Sequence, residues 1–374
     1  MITNDLLLRA ARRERMERTP VWLMRQAGRT DPAYIALRER NRLPLETVFR
    51  EPDLCAEISL LPERLGVDAI IFFQDILTPL GPLGTPFVFR PGPVLEKPIR
   101  TAADIASLQP YDPSAELGFV SKTFQLVRNA LRDEKTGNGK GDLRPRRLPV
   151  LGFAGAPLTL AFFLIEGRSP GRELRRVQSL MREEPAVFHG LLDKLADMTA
   201  EYLLLQIEAG ADAVQLFESI ADLLTPSEYE EFAHPYHVKV LTELAGRVPT
   251  ILFAKEQPLV ERMAESGADV LSVGACVDMA EATRCLGEKV AFQGNVDTRV
   301  LADGSFDQID EAVRHCVRAG GHRGHILNLS HGLLERTPLA NVQRFIQTAK
   351  ATRVELQTQP GSGHVSASRT VGVS

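Results

Sequence analysis

The sequence predicts an α/β protein built as a single, distorted (β/α)8 TIM-type barrel. The first observation is a local grammar used three times. Leu65-Gly66-Val67-Asp68-Ala69 leads into IIFF, Ala209-Gly210-Ala211-Asp212-Ala213 into VQLF, and Ser266-Gly267-Ala268-Asp269-Val270 into LSV. In each, a helical pattern ends at Gly and an apolar strand follows within two or three residues, the joint expected of repeated βα units. The second observation is the number of strands. Residues 20–26, 67–73, 148–154, 212–218, 248–254, 268–273, 288–293 and 325–330 are eight short runs that are almost continuously apolar, as strands covered on both faces must be. Third, helical patterns separate them at 45–65, 172–209 (two helices divided near Pro185), 226–246, 256–266, 278–286, 307–319 and 338–351. Eight parallel strands alternating with helices close into a barrel. A doubly wound open sheet is the alternative, but no GxGxxG follows the first strand.

The composition narrows the function. The chain has 374 residues, 44% hydrophobic and 25% charged, with a net charge of -4. That balance suits a globular protein and gives no global field for nucleic acid or anionic membrane, so any anion site must be a local focus of arginine. Cys55, Cys276, Cys285 and Cys316 form no CxxC pair, as expected of reduced thiols in a cytoplasmic protein. The first twenty residues read as a short charged helix ended by Pro20, not as a signal peptide. The longest uncharged apolar run, residues 157–165, is too short to cross a bilayer. Residues 74–120, rich in Pro and Gly, are expected to form a long loop or a small hairpin. Residues 133–147 read as a polar surface insert. The barrel domain is assigned to 1–352 and a disordered tail to 353–374.

Barrel enzymes carry their chemistry at the C-terminal ends of the strands, which leaves eight places to question. Strand one ends in PVWLMRQAGR (20–29), where Arg25 and Arg29 flank small residues. Two planar, permanent cations suit carboxylate or phosphate held bidentately, unless they are merely solvated. Strand two ends in Phe73-Gln74-Asp75-Ile76-Leu77, and a carboxylate among apolar neighbours needs a cationic or hydrogen-bonding partner. Strand three runs into Gly152-Phe153-Ala154-Gly155-Ala156-Pro157, small enough for a ligand to approach the backbone. The other ends offer Phe217-Glu218-Ser219, Lys255-Glu256, Asn295 with Asp297, and Ser330-His331-Gly332. Glu218 with Lys255 reads as a structural ion pair, Asn295 and Asp297 as turn or cap residues, and His331 as either a site residue or a satisfied polar one. His234 with His237 and His322 with His325 lack further ligands at metal spacing, and no P-loop, GxSxG or HExxH occurs. Cofactor-free chemistry by arginine, aspartate and histidine is what remains.

These residues resemble a known family. PVWLMRQAGR is similar to the N-terminal signature of the uroporphyrinogen decarboxylases, and LGFAGAPLTLAFFLIEG (151–167) to their second signature. FQDIL (73–77), QLFES (215–219), ILFAK (251–255), FQGNVD (292–297) and ILNLSHG (326–332) resemble the remaining blocks in order. The resemblance implies a homodimeric barrel carboxy-lyase. It takes CO2 from the four acetate side chains of uroporphyrinogen III, giving coproporphyrinogen III for haem or chlorophyll without metal or organic cofactor. It also implies that Arg25 and Arg29, with Gln26, Ala27 and Gly28 between them, bind substrate carboxylates. Asp75 then faces the pyrrole NH groups as the catalytic carboxylate, Ser219 and His331 contact substrate, and Phe217 packs on it.

Three positions depart from the pattern. Phe163 stands where the family has a tyrosine whose hydroxyl bonds the aspartate, so water or Thr159 is expected in its place. Val273-Gly274-Ala275 replaces LDW, and Ser330 replaces a Gly. The proton donor stays open between Arg25 and His331, because arginine is a poor acid and histidine has the more suitable intrinsic pKa. A corrinoid-dependent methyltransferase of the same barrel group is the competing enzyme class, but its His-x-Cys ligand pair is missing here. A non-catalytic tetrapyrrole-binding protein is the other competitor.

Overall fold

Seven parallel strands form one curled sheet in a computed structural model that describes residues 2–132, 146–169 and 174–353. In chain order they are β1 (Ile70–Ile71), β4 (Val150–Gly155), β5 (Ala213–Glu218), β6 (Thr250–Ala254), β7 (Val270–Ser272), β8 (Ala291–Val296) and β9 (His325–Leu329). β2 (Phe87–Phe89) and β3 (Pro93–Leu95) pair separately as an antiparallel hairpin. Each sheet strand pairs with the next in sequence, as right-handed βα units dictate. Helices cover the outer face, so the strands are buried on both sides and mostly apolar.

The first predicted strand is not a regular one, and this is where the barrel distorts. Residues 20–24 lie between the two sheet edges, with Val21 bridged in parallel to Leu327 of β9. The Leu327 N–H donates to Pro20 O at 2.9 Å, and on the other side the Asp68 N–H donates to Val21 O at 2.8 Å. A longer ladder fails for local reasons. Pro20 has no N–H to give, and the Gln26 N–H turns back to Leu23 O at 3.0 Å, ending the extended run. The closure is held by burial instead, since Val21, Trp22 and Leu23 are fully enclosed. Inside the barrel the indole N–H of Trp22 donates to Gln293 Oε1 at 2.9 Å. Gln293 in turn donates to Gln215 and Ser272, so the buried polar groups satisfy one another.

The repeated Gly-x-Asp grammar closes the opposite end of the barrel. Gly66, Gly210 and Gly267 all take positive φ, the left-handed turn that stops each helix. The aspartate that follows then caps a neighbouring chain. Asp68 accepts the Val21 N–H, Asp212 the Val150 N–H and Asp269 the Thr250 N–H, each at 2.8 Å. Arg18 and Arg146 neutralise the first two carboxylates.

Other expectations shift. The N-terminal helix spans only Leu6–Ala11, well short of Pro20, and buries three leucines, so it serves as core and not as a charged surface helix. Helices Pro32–Asn41, Gly118–Ala130, Pro157–Glu166 and Thr298–Asp303 were not anticipated, and residues 74–120 contain the hairpin and two short helices. Of the predicted insert, residues 133–145 lie outside the described residues, as does the tail from 354. Arg146 and Arg147 lie inside and pair with Asp212 and Glu63. Among the described residues no helix is long and apolar enough to cross a membrane.

Candidate active site

The distorted closure determines how the two arginines are presented. Arg25 takes a left-handed φ of 62° directly after Met24, which swings its side chain out over the C-terminal end of the barrel. Its stem crosses β9's exit loop, where a Cβ on Gly332 would stand 2.6 Å from Arg25 Cδ. Only glycine fits there. The guanidinium is accessible to solvent yet ringed by protein, and burial together with Arg29 pushes its pKa down, with Asp75 and Glu335 opposing. Gly28, at φ 92°, folds the Arg25–Arg29 loop against Phe73, whose ring would lie 2.8 Å from any Cβ at that position. Gln26 turns inward. Its side-chain oxygen accepts the Leu23 N–H at 3.1 Å and its amide donates to Ala69 O at 3.0 Å, so it builds the loop.

Asp75 follows β1 and is held by its own turn. Oδ1 accepts the Leu77 N–H at 2.9 Å and the Asp75 carbonyl accepts the Thr78 N–H at 3.2 Å. Among the described residues Oδ2 has no hydrogen-bond partner. Burial raises the carboxyl pKa, against the Leu77 N–H and the Arg25 charge, which favour the anion. Burial thus disfavours the Asp75 carboxylate, while the Arg25 charge favours it.

The far wall is aromatic. Phe217 contacts Phe153 edge-on at 5.7 Å between ring centres and Phe253 at 5.6 Å, and Phe253 lies 6.0 Å from the His331 ring. Phe217 remains partly open to the cleft. Burial, then the charges of Arg25 and Lys255, push His331 down to about 4, so its imidazole is neutral at pH 7. The Ser219 N–H donates to Thr159 Oγ1 at 2.8 Å, and Thr159 donates to the buried Glu218 at 2.5 Å. His237 contacts the other Glu218 oxygen at 3.1 Å.

Two expectations are corrected by these contacts. Glu218 does not pair with Lys255; the lysine reaches outward to Asp222 at 2.9 Å, keeping its ammonium near water while Glu218 is satisfied inside. Thr159 does not replace the missing tyrosine hydroxyl, since its oxygen is committed to Glu218 and Ser219. Phe163 is buried, edge-on to Phe87 of the hairpin at 6.1 Å, and packs as core. One residue went unnoticed in the sequence. Tyr202, on helix Pro185–Ala209, buries its hydroxyl beside Thr78 and within electrostatic reach of Asp75. Nothing in the periodicity separates it from any other core aromatic. Asp297 caps helix Thr298–Asp303 as its turn-and-cap reading requires, whereas Asn295 lies within β8 and donates to Gly274 O and Val277 O of a neighbouring loop.

The site now has a cationic rim, a buried aspartate and an aromatic wall. A family model described as uroporphyrinogen decarboxylase (URO-D) matches residues 2–352. The chain belongs to the uroporphyrinogen decarboxylase family. A uroporphyrinogen decarboxylase of Picosynechococcus sp. (strain PCC 7002) is 42% identical over 358 residues, covering 93% of this chain and 97% of the relative. One from Gloeobacter violaceus is 40% identical over 357 residues, covering 94% and 98%. Among solved structures, a methyltransferase from Methanosarcina mazei superposes with a TM-score of 0.74 over 93% of this chain and 98% of its own. At 19% identity that likeness shows the shared barrel fold alone. Among the described residues no group of three or more His, Cys, Asp or Glu is placed to hold a metal ion.

The depressed histidines have a consequence for this family member's stability. His331 and His325 both fall from an ordinary value of 6.5 to about 4, in each case chiefly through burial. Between those values the unfolded chain binds protons that the native state refuses, so stability falls as pH drops from about 6.5 to about 4. Asp75, shifted upward, costs stability at neutral pH and regains it in acid, which softens the fall. Thermal unfolding across pH 7 to 4.5 should show a declining midpoint, less steep in His331→Asn. A flat wild-type profile would contradict the burial of these imidazoles.

Proposed function

We propose that this chain decarboxylates uroporphyrinogen III to coproporphyrinogen III, with Asp75 as the catalytic carboxylate. The observation that carries this reading is Asp75 itself, fixed by its turn with one oxygen open and Arg25 acting on it from the rim. Loss of CO2 from a pyrrole acetate needs an electron sink. Protonating the ring carbon supplies it, because the electrons of the breaking C–CO2 bond then flow into a cationic pyrrole. The resulting exocyclic methylene takes a second proton to become methyl, and the ring carbon loses the first. Asp75 would accept the pyrrole N–H bonds and stabilise that cation. A charge pair about 4 Å apart at an effective dielectric near 20 is worth roughly 4 kcal/mol, or about a thousandfold in rate.

Arg25 and Arg29 would hold acid arms of the macrocycle, with Gly28 allowing the loop to close around them. Phe217 would pack on the ring plane, and Ser219 and His331 would contact substrate. The depressed His331 favours a hydrogen-bonding role over an acidic one, whereas the downward shift of Arg25 is the direction that makes an arginine a stronger acid. The family resemblance supports a cytoplasmic homodimer with one barrel domain over residues 1–352. The test is anaerobic incubation of purified protein with reduced uroporphyrinogen III, followed by separation of the oxidised porphyrins. Coproporphyrin is the expected product, and unchanged octacarboxylate would overturn the reading.

A further inference from the structure

Arg29 has an acidic partner of its own. Its Nη1 lies 3.2 Å from Glu335 Oε1, across the mouth of the cleft. Glu335 belongs to the loop that leaves β9 through His331 and Gly332, and its charge also acts on Arg25, where Asp75 is the other favourable partner. The backbone on either side of Glu335 is anchored. The Leu333 N–H donates to Met24 O at 3.0 Å, and the Thr337 N–H closes a turn on Leu334 O at 3.1 Å. The Glu335 side chain, by contrast, is 82% exposed and holds Arg29 by one contact, while the Arg29 side chain is only 25% exposed. A single solvated contact of this kind is weak. A carboxylate delivered deeper, and bidentate, takes the guanidinium in preference.

We propose that Glu335 is a displaceable stand-in for a substrate carboxylate. Its charge neutralises the arginine pair, whose members otherwise repel. When a polycarboxylate enters, it must surrender Arg29, and only its side chain has to move because the loop is pinned on both sides. Glu335 thus sets how strongly the rim attracts anionic arms without touching the chemistry at Asp75. This assignment rests on the proposed decarboxylation and refines its substrate binding.

The test is steady-state decarboxylation of uroporphyrinogen by wild type, Glu335→Gln and, as a charge control, Glu311→Gln on the exposed face of helix Phe306–Gly320. At low ionic strength Glu335→Gln should lower KM by about two- to fivefold with kcat unchanged, the range expected for loss of one exposed pair. The difference should shrink in high salt, where the exposed charge is screened. Glu311→Gln should leave KM where it was. An unchanged or raised KM in Glu335→Gln, or an equal fall in Glu311→Gln, would overturn the assignment while the decarboxylase reading stood. A wild type without activity would remove both.

Discussion

Asp75→Asn is expected to keep its fold and lose about a thousandfold in kcat. The asparagine fills the same space, and its side-chain oxygen can still accept the Leu77 N–H that holds Asp75 at 2.9 Å. Burial raises the native carboxyl, so removing the charge takes away a strained anion and should hold or raise the thermal midpoint. What disappears is the negative charge opposite a developing pyrrole cation, worth roughly 4 kcal/mol at an effective dielectric near 20. KM should move far less than kcat, since this interaction strengthens only as the cation forms. A variant with near-normal turnover would remove Asp75 from the centre of the account.

Arg25→Gln should give the second largest effect, of a different kind. A charge-assisted hydrogen bond contributes about 1.5–3 kcal/mol, so losing the guanidinium should cut kcat/KM by roughly ten- to a hundredfold. Stability should not follow activity downward. Arg25 is pushed towards neutrality by burial and by Arg29, and relieving that stress should leave the midpoint unchanged or higher. Lysine should rescue poorly, because an ammonium cannot reproduce the planar fork. A marked fall in midpoint with intact kcat/KM would make Arg25 a structural residue.

The sequence exposed what is local and periodic. Gly66, Gly210 and Gly267 announced their helix ends, and the apolar runs of β4 to β9 announced a buried parallel sheet. Asp75 stood out because a carboxylate between Phe73 and Ile76 has no bland use for its charge. Hidden were the contacts that join distant parts of the chain. Thr159 and Glu218 are 59 positions apart and Trp22 and Gln293 are 271 apart, and no spacing rule links either pair. The distortion at residues 20–24 was legible only in part. Pro20 signalled a missing donor, but Val21-Trp22-Leu23 still read as a strand because burial, not laddering, holds them. Tyr202 was hidden too, since a core tyrosine and one within electrostatic reach of Asp75 have the same pattern on a helix.

The most direct measurement is the yield of CO2 per macrocycle when wild-type protein meets reduced uroporphyrinogen III anaerobically in the presence of a strong chelator. The account predicts four CO2 for each coproporphyrinogen formed, at a rate indifferent to the chelator. No release of CO2, or release only after a metal is restored, would contradict it.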